Sequence, residues 1–172
     1  GESWSRVSKY AELTSRAWYY IEVFADPNDE NTVYVLSART FRSIDGGKTW
    51  ERISSGHGDY HDLWINPKNS KNMIISDDGG GEITFDNGNS WSSINIMPTA
   101  QFYRVNVDNL FPYNLYGGQQ DNSTVKIASI GSRGGISQSD WSASAGGESA
   151  FLAFDPDDPQ LVMGGSYLGS VN

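Results

Sequence analysis

The chain has 172 residues, a formal net charge of −9 and no cysteine. This length suits one domain or part of a larger one, and the acidic balance argues against a nucleic-acid partner. The absence of cysteine excludes a disulfide framework and a thiolate metal site. No apolar run is long enough to predict a membrane span.

Short apolar stretches alternate with turns rich in Gly, Asn, Asp and Ser, which predicts an all-β chain. Taken in order, residues 1–7 are predicted as the last strand of a preceding unit. Three four-stranded units follow at about 18–54, 61–95 and 102–144, and a partial one at 149–172. A proline occurs at a comparable place in the first turn of each unit, and these are Pro27, Pro67, Pro112 and Pro156.

One motif occurs twice with a period of 41 residues. Residues 43–50 and 84–91 both read [ST]-x-D-x-G-x-[ST]-W, and residues 1–4 resemble its truncated end. We interpret each copy as a hairpin turn in which the aspartate accepts backbone N–H groups and the glycine adopts positive φ. The tryptophan then begins the returning strand. The structural residues are Asp45, Gly47, Trp50, Asp86, Gly88 and Trp91.

A repeat of this length, with four short strands in each copy, predicts a β-propeller of four-stranded antiparallel blades. Two arrangements remain open. The strand at 1–7 closes a four-bladed ring, or the chain is an arc of a larger ring. An arc would expose two blade faces, and we expect it to continue into further blades of a longer parent or to self-associate through those faces.

The first polar cluster precedes an inner strand and holds both histidines of the chain. In an extended backbone, His57, Asp59 and His61 project to one side, where they could bind a divalent cation. Asp62 would then orient a ligand ring. The alternative is that these side chains bond the backbone of neighbouring loops, and no cofactor is then required.

Two more polar clusters occupy comparable loops. Adjacent Asp77 and Asp78 precede three glycines that would let a ligand approach the backbone, or they are solvated residues of a turn. The third cluster offers amides and one carboxylate suited to sugar hydroxyls. Its candidate ligand-binding residues are Gln101, Tyr103, Gln119, Gln120, Asp121 and Asn122.

The repeated motif resembles the Asp-box, or BNR, repeat of sialidases, sortilin-type receptors and xyloglucanase-type glycosidases. The segments HGDYHDLWINP (57–67), DGG (78–80), PTAQFY (98–103) and GGQQDNST (117–124) resemble bacterial sortilin-like or glycosyl-hydrolase-like BNR-repeat proteins. That resemblance implies a propeller of a secreted or cell-envelope protein. It also implies a ring of more than four blades, and for that reason we favour the arc over the closed four-bladed ring. The arginines show no sialidase triad, and the two catalytic aspartates of xyloglucanases, which lie on separate propellers, have no clear equivalents.

Two functions follow from these patterns. The first is a non-catalytic scaffold whose polar loops bind a glycan or a protein. The alternative is part of a glycoside hydrolase with paired carboxylates, for which Asp78 with Asp59 or Asp121 are the catalytic candidates. An inverting pair needs carboxyl groups about 6.5–9.5 Å apart with room for a water molecule.

Overall fold

The computed structural model describes residues 1–53, 55–97 and 99–172. Ser54, at the end of the first predicted blade, and Pro98, in the PTAQFY segment, lie outside the described residues. The chain divides into two compact units, Gly1–Pro98 and Thr99–Asn172. Strands and short 3-10 helices make up the regular structure of the described residues, and antiparallel four-stranded sheets confirm the predicted all-β class.

The first sheet of the first unit is a four-stranded meander. Its strands are β1 (Glu22–Ala25), β2 (Val33–Leu36), β3 (Thr40–Ser43) and β4 (Glu51–Ile53), paired in chain order. A 3-10 helix at Ala11–Thr14 precedes it.

The first strand starts later than the sequence predicted, at residue 22 instead of 18. The amides of Tyr19 and Tyr20 both donate to the carbonyl oxygen of Arg16 at 2.9 Å, which folds residues 16–20 into a turn. Residues 1–7, predicted as a strand of a preceding blade, lie outside the sheets of the described residues.

The second sheet has three strands where four were predicted. Strands β5 (Tyr60–Ile65), β6 (Met73–Asp77) and β7 (Gly80–Thr84) pair in chain order. The fourth strand predicted at 91–94 is wrong, because a 3-10 helix forms at Ile94–Ile96 and the Ser93 side chain caps it. The amide of Ser92 donates to the carbonyl oxygen of Ile83 at 2.9 Å, but the return bond from the Ile83 amide goes to the Ser92 hydroxyl at 3.0 Å instead of to a backbone carbonyl.

The core of the first unit lies between these two sheets. Alternate residues of β2, β5 and β6 face inward, as the two-residue period of a strand requires. The buried cluster comprises Tyr34, Leu36, Ile53, Tyr60, Leu63, Ile65, Met73 and Ile75. A second cluster, on the other face of the first sheet, joins Leu13, Val35 and Phe41.

Both copies of the repeated motif form the predicted turn. Asp45 accepts hydrogen bonds from the amides of Lys48 at 3.0 Å and Thr49 at 2.9 Å, and from the Thr49 hydroxyl at 2.7 Å. Asp86 holds Ser90 in the same way, through its amide at 2.9 Å and its hydroxyl at 2.6 Å. Gly47 and Gly88 have φ of 87° and 81°, as expected. The aspartates therefore stabilise their own turns.

These bonds make the stability of the turns dependent on pH. Hydrogen bonds from Thr49 and Ser90, respectively, lower the pKa of Asp45 and of Asp86 to about 2 from an ordinary 3.8. Because the folded pKa lies below the unfolded one, the stabilisation is complete above about pH 4 and is lost as pH falls towards 2.

We therefore expect the melting temperature to fall between pH 4 and pH 2. Asp45→Asn with Asp86→Asn should be less stable than the wild type at pH 5 and should show a smaller further loss on acidification. Thermal melts across this range measure both effects. Asp157→Asn, at an exposed position, is the matched control, and equal pH profiles for the double variant and the wild type would contradict the assignment.

The second unit contains a four-stranded and a two-stranded sheet. Strands β8 (Asn106–Val107), β9 (Asn114–Gly118), β10 (Thr124–Ala128) and β11 (Trp141–Ser142) pair in chain order, and β12 (Leu152–Phe154) pairs with β13 (Val162–Gly164). Tyr116, Ala150 and Leu152 form its buried core, with Phe154 and Val162 packed against them. No helix in the described part of the chain has the length and apolar character to span a bilayer.

Candidate functional site

The structure brings the first two polar clusters together at one end of the second sheet. Tyr60, at the start of β5, is opposite Asp77, at the end of β6. The antiparallel pairing therefore places the loop before β5 beside the turn between β6 and β7. Across this junction, His61 Nε2 lies 2.6 Å from Asp78 Oδ1.

Asp59 contributes a second charged pair in the same region. Its carboxylate lies 3.5 Å from the Arg16 guanidinium. Asp59 has φ of 58°, and its amide donates to the carbonyl oxygen of Ala38 at 3.3 Å, which anchors the loop on the first sheet. Two of the predicted site residues thus have basic partners on neighbouring segments.

An exposed aromatic group adjoins these pairs. Trp18 is 79% exposed and Tyr19 is 68% exposed, with ring centroids 5.9 Å apart and planes tilted by 31°. The Arg16 guanidinium lies 5.3 Å from the Trp18 ring centroid and 5.9 Å from that of Tyr19. The Tyr20 ring packs against His61 at 4.6 Å. We call Arg16, Trp18, Tyr19, Tyr20 and His61 the aromatic surface.

This surface was not predicted, because residues 18–24 were interpreted as the first strand of the unit at 18–54. Trp18, Tyr19 and Tyr20 do not alternate between apolar and polar residues as a half-buried strand does. That departure from strand periodicity was the one signal in the sequence that this segment is not part of the strand. The turn at 16–20 instead directs Trp18 and Tyr19 to solvent. Burial and the nearby Asp59 carboxylate raise the pKa of Tyr20, so its phenol stays protonated at neutral pH.

The other residues of the first two clusters bond locally. His57 Nδ1 lies 3.0 Å from the carbonyl oxygen of Gly58, and Asp62 accepts the amide of Leu63 at 2.8 Å. Asp77 is 9% exposed and accepts the amides of Gly79 and Gly80, each at 2.9 Å. Burial raises the pKa of Asp77.

The hypothesis of a divalent cation at His57, Asp59 and His61 gains no support from this geometry. Among the described residues, the structure contains no group of three or more His, Asp or Glu side chains arranged to hold a metal ion. His61 and Asp59 instead make separate pairs with Asp78 and Arg16.

The third cluster lies in the second unit. The Tyr103 hydroxyl donates to Gln120, whose side-chain amide donates to Asp121 at 2.8 Å and to Glu148 at 2.7 Å. Hydrogen bonding to Glu148 raises the pKa of Tyr167 to about 12. Glu148 and Tyr167 were missed because they lie far along the chain from the other members.

The remaining predicted residues of that cluster order the turn between β9 and β10. The Gln119 side chain donates to the carbonyl oxygen of Asn122 at 2.9 Å. Gln101 contributes its backbone carbonyl to the amide of Gln120 at 2.8 Å. The three candidate catalytic aspartates are divided between the units, with Asp59 and Asp78 in the first and Asp121 in the second.

Comparisons with known proteins found likeness at the level of structure and not of sequence. No family model matches the chain, and no curated protein matches it. Among solved structures, the crystal structure of an ancestral GH74 enzyme aligns with a TM-score of 0.43 and 16% sequence identity. The alignment covers 83% of this chain and 21% of that one, so the chain spans about a fifth of the enzyme's length.

Proposed function

We propose that this chain is a non-catalytic scaffold that binds a glycan on the aromatic surface of its first unit. The exposure of Trp18 and Tyr19 carries the proposal. Large aromatic side chains normally contribute to a core, so two adjacent ones open to solvent suggest a binding role. Their ring faces offer flat apolar area on which the C–H face of a sugar can stack.

Hydrogen-bonding groups surround these rings. The Arg16 guanidinium carries several donors, and the carboxylates of Asp59 and Asp78 carry acceptors. A sugar hydroxyl can both donate and accept, so it matches such a mixed rim. Cation–π contact with Arg16 also holds the rings in place before any ligand arrives, which lowers the entropic cost of binding.

The same pairs favour binding over hydrolysis. Hydrolysis by paired carboxylates needs two carboxyl groups that face the same scissile bond. Asp59 pairs instead with Arg16, and Asp78 pairs with His61. A bacterial protein that binds polysaccharide would act in the cell envelope or outside the cell, as the Asp-box resemblance also implies.

Trp18→Ala should abolish binding to the preferred polysaccharide or weaken it at least about tenfold, since stacking on one large aromatic is a substantial part of a weak interaction. Affinity gel electrophoresis with xyloglucan, hydroxyethyl cellulose and laminarin measures the retardation. Trp4→Ala is the matched control, because Trp4 is 91% exposed and lies outside the aromatic surface. The proposal would be overturned if no polysaccharide in a broad panel retarded the wild type. It would also be overturned if Trp18→Ala and Trp4→Ala lost the same amount of retardation.

A further inference from the structure

A second recess in the first unit has chemistry unlike that of the aromatic surface. It is a cleft of about 370 Å³ between residues 55–56, β7 and residues 90–95. It shares no residue with the aromatic surface. We call it the Glu82 cleft, and its volume is in the range of small-molecule sites.

The cleft lies beside the missing fourth strand of the second sheet. After the turn at Asp86, the chain makes a single ladder position with β7 through Ser92 and then enters the 3-10 helix. A regular strand would have continued along β7. The irregular path instead makes Trp91, Ser93 and Ile94 part of the cleft lining.

A buried carboxylate lines the cleft. Glu82 is 2% exposed, and both of its oxygens accept the single amide of Gly56, at 3.0 and 2.8 Å. A carboxylate has about four acceptor positions, so one N–H leaves acceptor capacity unused. The approach is close, because a Cβ at Gly56 would lie 2.9 Å from Glu82 Oε1.

Glu82 is the one charged side chain among the described residues that line the cleft, and none of them is Lys, Arg or His. Asp77 lies close enough for the Glu82 charge to contribute to raising its pKa, and His57, outside the cleft lining, acts on Asp77 in the opposite direction. Burying a charged carboxylate without a countercharge is costly, and an anionic ligand would add to that cost. A cation would reduce it.

An indole ring and several small polar residues form another wall of the cleft. Trp91, Ser92, Ser93 and Asn95 line it. Trp91 Nε1 itself is buried, and the ring lies against Gly88 as the Trp50 ring lies against Gly47. The polar groups that a ligand would meet on this wall are therefore those of the serines and of Asn95.

We propose that the Glu82 cleft binds a small ligand carrying a protonated amine and at least one hydroxyl group, such as an amino sugar. The ammonium group donates to Glu82 and supplies the missing positive charge. Ser92, Ser93 and Asn95 supply polar groups for the hydroxyls of the ligand. The site is separate from the proposed glycan surface, so either can exist without the other.

The Trp91 indole N–H offers a direct readout. The chain has 6 tryptophans, and Trp91→Phe identifies the indole signal of Trp91 in a ¹⁵N–¹H correlation spectrum by removing it. Titration of the whole chain with glucosamine should shift that signal saturably. Glucose and N-acetylglucosamine, which have similar shapes and no ammonium group, should bind at least about tenfold more weakly, because a hydrogen bond between charged groups is worth about 1.5–3 kcal/mol.

The variant that tests the charge is Glu82→Gln. Its amide oxygen can still accept from Gly56, while the negative charge is lost, and we expect glucosamine affinity to fall at least about tenfold. Glu22→Gln, on the exposed first strand, is the control and should bind as the wild type does. The spectrum of Glu82→Gln would show whether this variant unfolds. In that case the comparison of the three sugars on the wild type still tests whether binding depends on the ammonium group. Equal binding of all three, or no saturable shift with glucosamine, would overturn the proposal.

Discussion

Phe41→Ala should lower the free energy of unfolding of the first unit by about 3–5 kcal/mol, the usual cost of removing a buried phenylalanine. Phe41 is 1% exposed and packs in a cluster with Leu13 and Val35. The Tyr10 ring also meets it edge to face, with centroids 5.5 Å apart. Such a loss is a large share of the stability of a typical domain, about 5–15 kcal/mol.

Urea-dependent hydrogen exchange measures this effect on peptides from Gly1–Pro98, because a chain of two units need not unfold in a single step. Phe111→Ala is the matched control, since Phe111 is 93% exposed. Its replacement should change stability by no more than about 0.5 kcal/mol. Equal effects of the two substitutions would mean that Phe41 does not hold the helical segment at Ala11–Thr14 on the first sheet.

Gly118→Ala is expected to destabilise the second unit by about 3 kcal/mol, at the upper end of the range for overpacking. Gly118 ends β9 against the segment that leads into β12. A Cβ there would lie 2.6 Å from the amide nitrogen of Ala150 and 2.8 Å from its carbonyl oxygen. Backbone atoms cannot rotate away as a side chain can, so the methyl group must separate the two sheets.

Gly135→Ala is the control for this substitution, because a Cβ at Gly135 would meet no atom within 4 Å. Hydrogen exchange of peptides from Thr99–Asn172 should accelerate in Gly118→Ala and remain unchanged in Gly135→Ala. If Gly118→Ala exchanged like the wild type, the close contact between Gly118 and Ala150 would be absent in solution.

The strands and turns that depend on local sequence were predictable, and those that depend on competing side-chain bonds were not. The motif at Asp45 and Asp86 contains its own acceptors and its own glycine, so its geometry follows from eight residues. The strand expected after Trp91 depended on a ladder with β7. Ser92 keeps one backbone bond to Ile83, but its hydroxyl accepts the Ile83 amide, and the Ser93 hydroxyl caps the 3-10 helix that follows. Hydrophobic pattern carries no information on that competition.

The candidate site shows the same division between local and distant contacts. The sequence indicated that Asp59, His61 and Asp78 belong to polar loops, but it did not indicate which residues they pair with. It did not predict that Arg16 would meet Asp59 from a turn more than forty residues earlier. Glu82 was also missed, because in the sequence it is one charged residue within an apolar strand, and its burial depends on the path of residues 90–95.

The outer edge of β7 has a consequence for how the protein behaves at high concentration. Its outward amides are occupied by side chains, with Ile83 donating to the Ser92 hydroxyl at 3.0 Å and Gly81 to the Met97 sulfur at 3.1 Å. An open strand edge is normally a template for pairing with another chain, which leads to aggregation. The Ile83 and Gly81 amides are therefore not available to a strand of another molecule. We expect β7 to resist edge-to-edge association even though no fourth strand covers it.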